Sequence, residues 1–151
     1  MGVTYEEFVR RDGVRLWAGL VAAYGPEVGA DAAAEALAYG FEHWDRVGGM
    51  DNPAGYLYRV GQSEARKHFR PTGYLPVAPA PGLPEFEPAL APAMESLTEP
   101  QRVGVVLVHG LGWTQREAAE LLDVDVSTLR THIARAMVKL RTALEVTVDV
   151  R

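Results

Sequence analysis

The sequence predicts an all-α protein built as two small helical modules joined by a proline-rich tether. Three observations carry that reading. Thr4 with Glu7 and Thr114 with Glu117 are Thr-x-x-Glu capping boxes, each of which marks the start of a helix. Leu129, Ile133, Ala136, Leu140 and Leu144 recur at spacings of three and four, the stripe of a long amphipathic helix. Most of the chain's ten prolines crowd the stretch from Pro71 to Pro100, where no continuous helix can form. The expected domains are a three-helix module over 1–70, a linker over 71–96 and a helix-turn-helix module over 97–151.

In chain order, the Thr4 box opens a first helix through Phe8, Leu16, Leu20 and Tyr24, weakened at Gly13 and ended by Gly25-Pro26. A second, alanine-rich helix is expected from Ala30 to Trp44, with Leu37, Phe41 and Trp44 in the core. Gly48-Gly49 breaks the chain again. Asn52-Pro53 then supplies a cap and a first-position proline for a third helix reaching about Phe69. The tether is expected to be extended, yet Tyr74, Leu75, Val77, Leu83, Phe86 and Leu90 make it apolar enough to pack on something.

The segment LTEPQRVGVVLVHGLGWTQREAAELLDVDVSTLRTHIARAMVKLRTAL carries the most specific signal. Gly110-Leu111-Gly112 reads as a helix terminator. A short helix should run from Gln115 to Leu122, with Ala118, Ala119, Leu121 and Leu122 inward and Trp113 as a weak staple on Ala118. After the turn Asp123-Val124, Asp125 caps the long second helix, with Ser127 as the competing cap. Two capped helices across a short turn form a helix-turn-helix, whose second helix presents its first turns to base edges in a DNA major groove. Ser127, Thr128, Arg130 and Thr131 suit base contacts. Arg135 and Lys139 suit phosphates, and Gln115 and Arg116 lie at the start of the first helix. The third helix of the first module, PAGYLYRVGQSEARKHFR, interleaves Tyr56, Arg59, Gln62, Ser63 and Arg66, with Lys67 and Arg70 beyond. That mixture can stack on bases and hold a single-stranded backbone; the same spacing also fits an ordinary amphipathic helix with Leu57, Val60 and Ala65 inward.

Composition narrows the classes. The chain of 151 residues has no cysteine, which excludes disulfides and thiolate metal sites, and no apolar run long enough to span a membrane. His43, His68, His109 and His132 are scattered, and there is no Gly-rich phosphate loop, so neither a metal, a cofactor, a small-molecule substrate nor an enzymatic activity is expected. A cytoplasmic location is the expectation. The net charge of -5 opposes unaided high-affinity DNA binding, because phosphate neutralisation supplies much of that affinity. A partner is expected to supply the deficit.

Taken together, YEEFVRRDGVRLWAGL, the third helix and the helix-turn-helix segment with its Ser-Thr-Leu-Arg-Thr-His run resemble regions 2 and 4 of bacterial RNA polymerase sigma factors of the extracytoplasmic-function type. The resemblance implies promoter DNA and core RNA polymerase as partners, region 2 taking the melted element and region 4 the upstream duplex. It also implies an anti-sigma factor as an inhibitory partner. Carried over by position, Asp31, Glu35 and Glu42 would face polymerase, and the loop Asp45 to Asn52 would join Tyr56, Arg59 and Gln62 on single-stranded DNA. The sequence departs from the family in DAAAEALAYGFEHW, where alanines and Leu37 replace most of an acidic pair and a Gln-Glu contact, and at Ser63 and Lys67, where Asn and Asp are usual. The alternatives are a sigma-derived or LuxR-type regulator that binds DNA without polymerase.

Overall fold

The computed structural model describes residues 2–68 and 90–149, and among them it is helical with no strand. Phe69, Arg70 and the proline-rich stretch through residue 89 lie outside the described residues, as does the expectation that they are extended. In the first module α1 spans Tyr5–Tyr24. Its capping box is made in full: the Glu7 amide donates to Thr4 Oγ1 (3.2 Å) and the Thr4 amide to Glu7 Oε2 (3.0 Å).

The second helix differs from expectation at both ends. Gly25, with φ 89°, turns the chain sharply and α2 begins at once, spanning Pro26–Glu42. A proline at the first helical position costs nothing, because that amide has no partner in the helix anyway. His43 leaves helical geometry, and Trp44 starts a separate one-turn helix, α3, over Trp44–Val47. Phe41 is not core: it is 69% exposed, and Leu37 is only half-buried. The inward stripe is instead Gly29, Ala32, Ala33, Ala36 and Gly40. A Cβ on Gly29 would lie 2.5 Å from the α1 backbone at Val21 Cα, and one on Gly40 2.8 Å from Leu57 Cδ1. Small residues are what allow this close crossing. Helix α4 spans Pro53–His68 and is capped by Asn52, whose Oδ1 accepts from the Gly55 amide at 2.9 Å.

In the second half, α5 (Leu90–Glu95) falls inside the stretch expected as linker. Ala93, Met94 and Leu97 at its end pack in one apolar cluster with Ala136 and Leu140. Helix α6 (Glu99–Val105) opens with a capping box of its own, Thr98 with Gln101, and runs into a π-helical turn over Val106–Gly110. There the Leu111 amide bonds the Val106 carbonyl, and Gly112 at φ 74° ends the segment, in keeping with the terminator read at Gly110-Leu111-Gly112. Helix α7 spans Gln115–Leu122 behind the Thr114–Glu117 box. Asp123 closes it in the left-handed conformation (φ 55°, ψ 49°), which Asp tolerates better than most residues. Helix α8 runs over Val126–Asp149 and buries Leu129, Ile133, Ala136 and Leu140.

The two halves share one core. Phe8, Leu16, Leu20, Leu57 and Tyr58 of the first module and Val103, Leu107, Leu121 and Leu129 of the second form a single buried cluster.

Candidate nucleic-acid interface

The start of α8 carries an outward polar face. Ser127, Thr128, Arg130, Thr131 and Arg135 are exposed, with Arg116 exposed and Gln115 half-buried at the start of α7. Arg130 Nε donates to Gln115 Oε1 at 2.8 Å, tying the second helix to the first across the turn. An arginine has five donors, so one bond orients the guanidinium without exhausting it for a base edge. Thr131 Oγ1 donates to the Ser127 carbonyl at 3.1 Å. Lys139 is placed differently from the others. Its Nζ donates to Gln101 Oε1 at 3.0 Å and so points back to the start of α6.

Side chains of the other half of the chain bond to the α4 face, whose Arg59 and Arg66 stay exposed. Arg59 pairs with Asp123, the left-handed residue between α7 and α8. Glu99 Oε1, at the start of α6, accepts from Gln62 Nε2 (2.9 Å), Arg66 (3.4 Å) and the Tyr24 hydroxyl (2.7 Å). Burial, then the bond to Glu99, pushes the Tyr24 phenol above its ordinary pKa of 10.0. Asn52 Nδ2 donates to the Glu120 carbonyl at 2.6 Å, and Arg15 pairs with Glu117 at 2.8 Å while lying over the Trp113 ring. Ser63 is exposed.

Tyr56 belongs to a different cluster. The Arg46 guanidinium sits 5.7 Å from the Tyr56 ring centre and 6.0 Å from that of Tyr39, and bonds both hydroxyls. Tyr39 stacks on His43 at 4.2 Å. The bond with the Tyr39 hydroxyl, followed by that with Arg46, draws the Tyr56 phenol below its ordinary value. On the opposite side of α4, Asp31 and Glu35 line an open groove between α2 and α4 with Glu64, His68, Val28, Ala32 and Ala65. Glu42, the last residue of α2, is exposed and outside that groove. Among the described residues no group of three or more His, Asp or Glu is gathered as a metal site would require.

Residues 89–140 match the family model described as Sigma-70, region 4. The match takes in α5 through most of α8, the helix-turn-helix included. The fold of the chain is also similar to those of solved proteins. It is similar to the sigma factor RpoE in complex with the anti-sigma factor NepR from Bartonella quintana, with a TM-score of 0.64 at 17% identity, over 94% of this chain and 97% of that one. It is also similar to CnrH in complex with the cytosolic domain of CnrY, with a TM-score of 0.59 at 22% identity, over 94% and 88%. No curated protein matches the sequence.

The second half of the chain supplies residues that the sequence reading passed over. Glu99 and Asp123 reach α4, and Arg102 reaches α1. Arg102 is 6% exposed, and its guanidinium donates to the Ala23 carbonyl (2.6 Å) and the Leu97 carbonyl (3.3 Å). Helix α1 has no basic residue in its last turn, so Arg102 of α6 provides the cation that favours that helix end. The sequence signal was an arginine immediately before the apolar run Val103 to Val108. Arg46 lies in the segment Asp45 to Asn52 expected beside Tyr56, whereas Tyr39 was missed: the three meet only because α2, α3 and α4 converge.

Proposed function

We propose that this protein is a promoter-recognising sigma factor that directs core RNA polymerase to start transcription. The observation that carries the reading is a region 4 helix-turn-helix with its hydroxyl and arginine face turned outward, in a chain whose fold is that of sigma factors. Region 4 reads the upstream element as duplex through Ser127, Thr128, Arg130 and Thr131, with Gln115 and Arg116 at the edge and Arg135 on phosphate. The α4 face, with Tyr56, Arg59, Gln62, Ser63 and Arg66, takes melted single-stranded DNA. The Arg46–Tyr39–Tyr56 cluster adds aromatic surface beside it.

Polymerase docks on the exposed side of α2. In the stretch that departs from the family pattern, Ala32, Ala33 and Ala36 face the core, while Ala34 and Ala38 lie on the surface with Asp31, Glu35 and Glu42. Docking there supplies the affinity that a net charge of -5 denies to DNA contacts alone. Both relatives were solved as complexes, one with an anti-sigma factor, which favours an anti-sigma partner for this chain as well. Co-elution with core polymerase and run-off transcription from a promoter selected by that complex test the reading. Specific duplex binding at physiological salt without polymerase binding would favour the sigma-derived regulator instead.

A further inference from the structure

We infer that Gln115 is a positioning residue for Arg130: it presets the plane of the guanidinium and so sets how sharply α8 discriminates at the base pair that Arg130 meets. The inference rests on the reading of the α8 face as the duplex reader. Within that reading it moves Gln115 from the edge of the DNA contact to a residue that acts through Arg130.

A guanidinium carries two forked edges, one made by Nε with one Nη and the other by the two Nη groups. The bond from Arg130 Nε to Gln115 Oε1 (2.8 Å) engages the first edge and leaves the second whole. The second edge is a fork that matches O6 and N7 of guanine in a major groove. A free arginine must give up side-chain freedom to dock on a base, whereas one already held by a bond has given up part of it beforehand. Holding the plane also limits retreat. Opposite a base edge that offers a donor in place of an acceptor, a fixed fork cannot swing away to a phosphate, so the wrong base is penalised more.

The frame that holds the two side chains is built from short-range bonds and a buried seam. Gln115 is the first residue of α7, directly behind the Thr114–Glu117 capping box, whose two bonds measure 2.9 and 3.1 Å. Ala118 and Leu121 of α7 are buried in one cluster with Leu129 of α8. The turn between the helices is closed by the Val124 amide on the Ala119 carbonyl and by the Leu129 amide on the Asp125 carbonyl, both at 3.0 Å. Gln115 is half-buried and Arg130 exposed, so the acceptor is the anchored partner and the guanidinium is the group being placed. Thr131 is held differently, by its own helix, through the bond to the Ser127 carbonyl. An exposed bond of this kind stabilises the fold little, and its effect is to be read in discrimination between bases.

The test uses the full chain with core polymerase and the duplex that this complex selects from a random pool, together with duplexes altered at each base pair in turn. Arg130→Ala locates the base pair at which discrimination relaxes. Gln115→Met keeps the length of the side chain without an oxygen for Nε, and should lower discrimination at that same base pair about two- to tenfold, the range for one side chain left to be ordered on binding. Gln115→Glu keeps an oxygen for Nε and should retain discrimination there, even as its charge weakens binding to all duplexes alike. In the Arg130→Ala background Gln115→Met should change nothing further. If Gln115→Met leaves that base pair as sharply read as before, if Gln115→Glu loses as much as Gln115→Met, or if Gln115→Met relaxes it further without Arg130, the duplex reading stands and the positioning role is refuted. If no duplex is selected, or Arg130→Ala relaxes no position, the duplex reading fails and takes the positioning role with it.

Discussion

Gly19 of α1 lies directly against Leu121 of α7: a Cβ at position 19 would stand 2.5 Å from Leu121 Cδ2 and 3.1 Å from Tyr58 Cε2. One contact thus joins the first module to the helix-turn-helix. The closeness of the two helices depends on the absence of a single methyl group. Gly19→Ala is expected to destabilise the protein by about 1–3 kcal/mol through overpacking, despite the better helix propensity of alanine. Urea unfolding followed by circular dichroism measures this, and a stabilised variant would show that the interface gives way freely.

Arg102 is the polar counterpart of that contact. Arg102→Met preserves much of the apolar stem but leaves the carbonyls of Ala23 and Leu97 without this donor in a buried setting. The expected loss is about 2–3 kcal/mol. Faster amide exchange should appear in the last turn of α1 as well as in α6, since the bond spans both halves. Exchange confined to α6 would contradict the proposed role at the end of α1.

The capping boxes allow a local comparison. Thr114→Ala removes the acceptor of the Glu117 amide and is expected to cost about 1 kcal/mol, with thermal unfolding shifted down. The Glu117 carboxyl is held below its ordinary value of 4.5 by the Thr114 amide first and by Arg15 less strongly. Its stabilising effect is therefore complete at neutral pH and is lost as pH falls through the depressed folded value. An NMR titration of Glu117 should show its midpoint returning toward 4.5 in Arg15→Ala.

At the alkaline end the sign reverses. Burial, and for Tyr24 the bond to Glu99, raise the phenols of Tyr24 and Tyr58 above 10.0. Folding favours their neutral forms, so the stability they contribute is full below 10.0 and drains away as pH rises toward the raised folded values. Tyr24→Phe should show a shallower loss of stability above pH 10.0, though not a flat one, because Tyr58 still titrates. Base-induced unfolding monitored by circular dichroism reads the difference.

For DNA, Arg130 and Arg135 should behave differently on a duplex selected from a random pool with core polymerase. Arg130→Ala is expected to cost about 1–3 kcal/mol on the selected sequence and to relax discrimination there. Arg135→Ala should weaken all duplexes alike and lower the salt slope by about 1. Equal effects from both on discrimination would contradict their separate assignments.

The sequence by itself determined the local structure. Thr4 with Glu7, Thr114 with Glu117, Asn52-Pro53 and the 129–140 stripe are short-range instructions, in which a cap or an apolar repeat acts within a few residues, and the helices start and bury as those residues dictate. Reading failed where a neighbour decided the outcome. Phe41 looked like core by residue type, but α2 turns its alanine and glycine stripe inward because α1 and Leu57 come too close for anything larger. Only the tertiary structure brought Arg59 to Asp123 and gathered Gln62, Arg66 and Tyr24 on Glu99. Those partners lie 33 to 75 residues apart in sequence, and no periodicity or spacing rule reaches across such a gap. Their meeting follows from the fit of Leu121 to Gly19, a property of two packed surfaces and of neither segment alone.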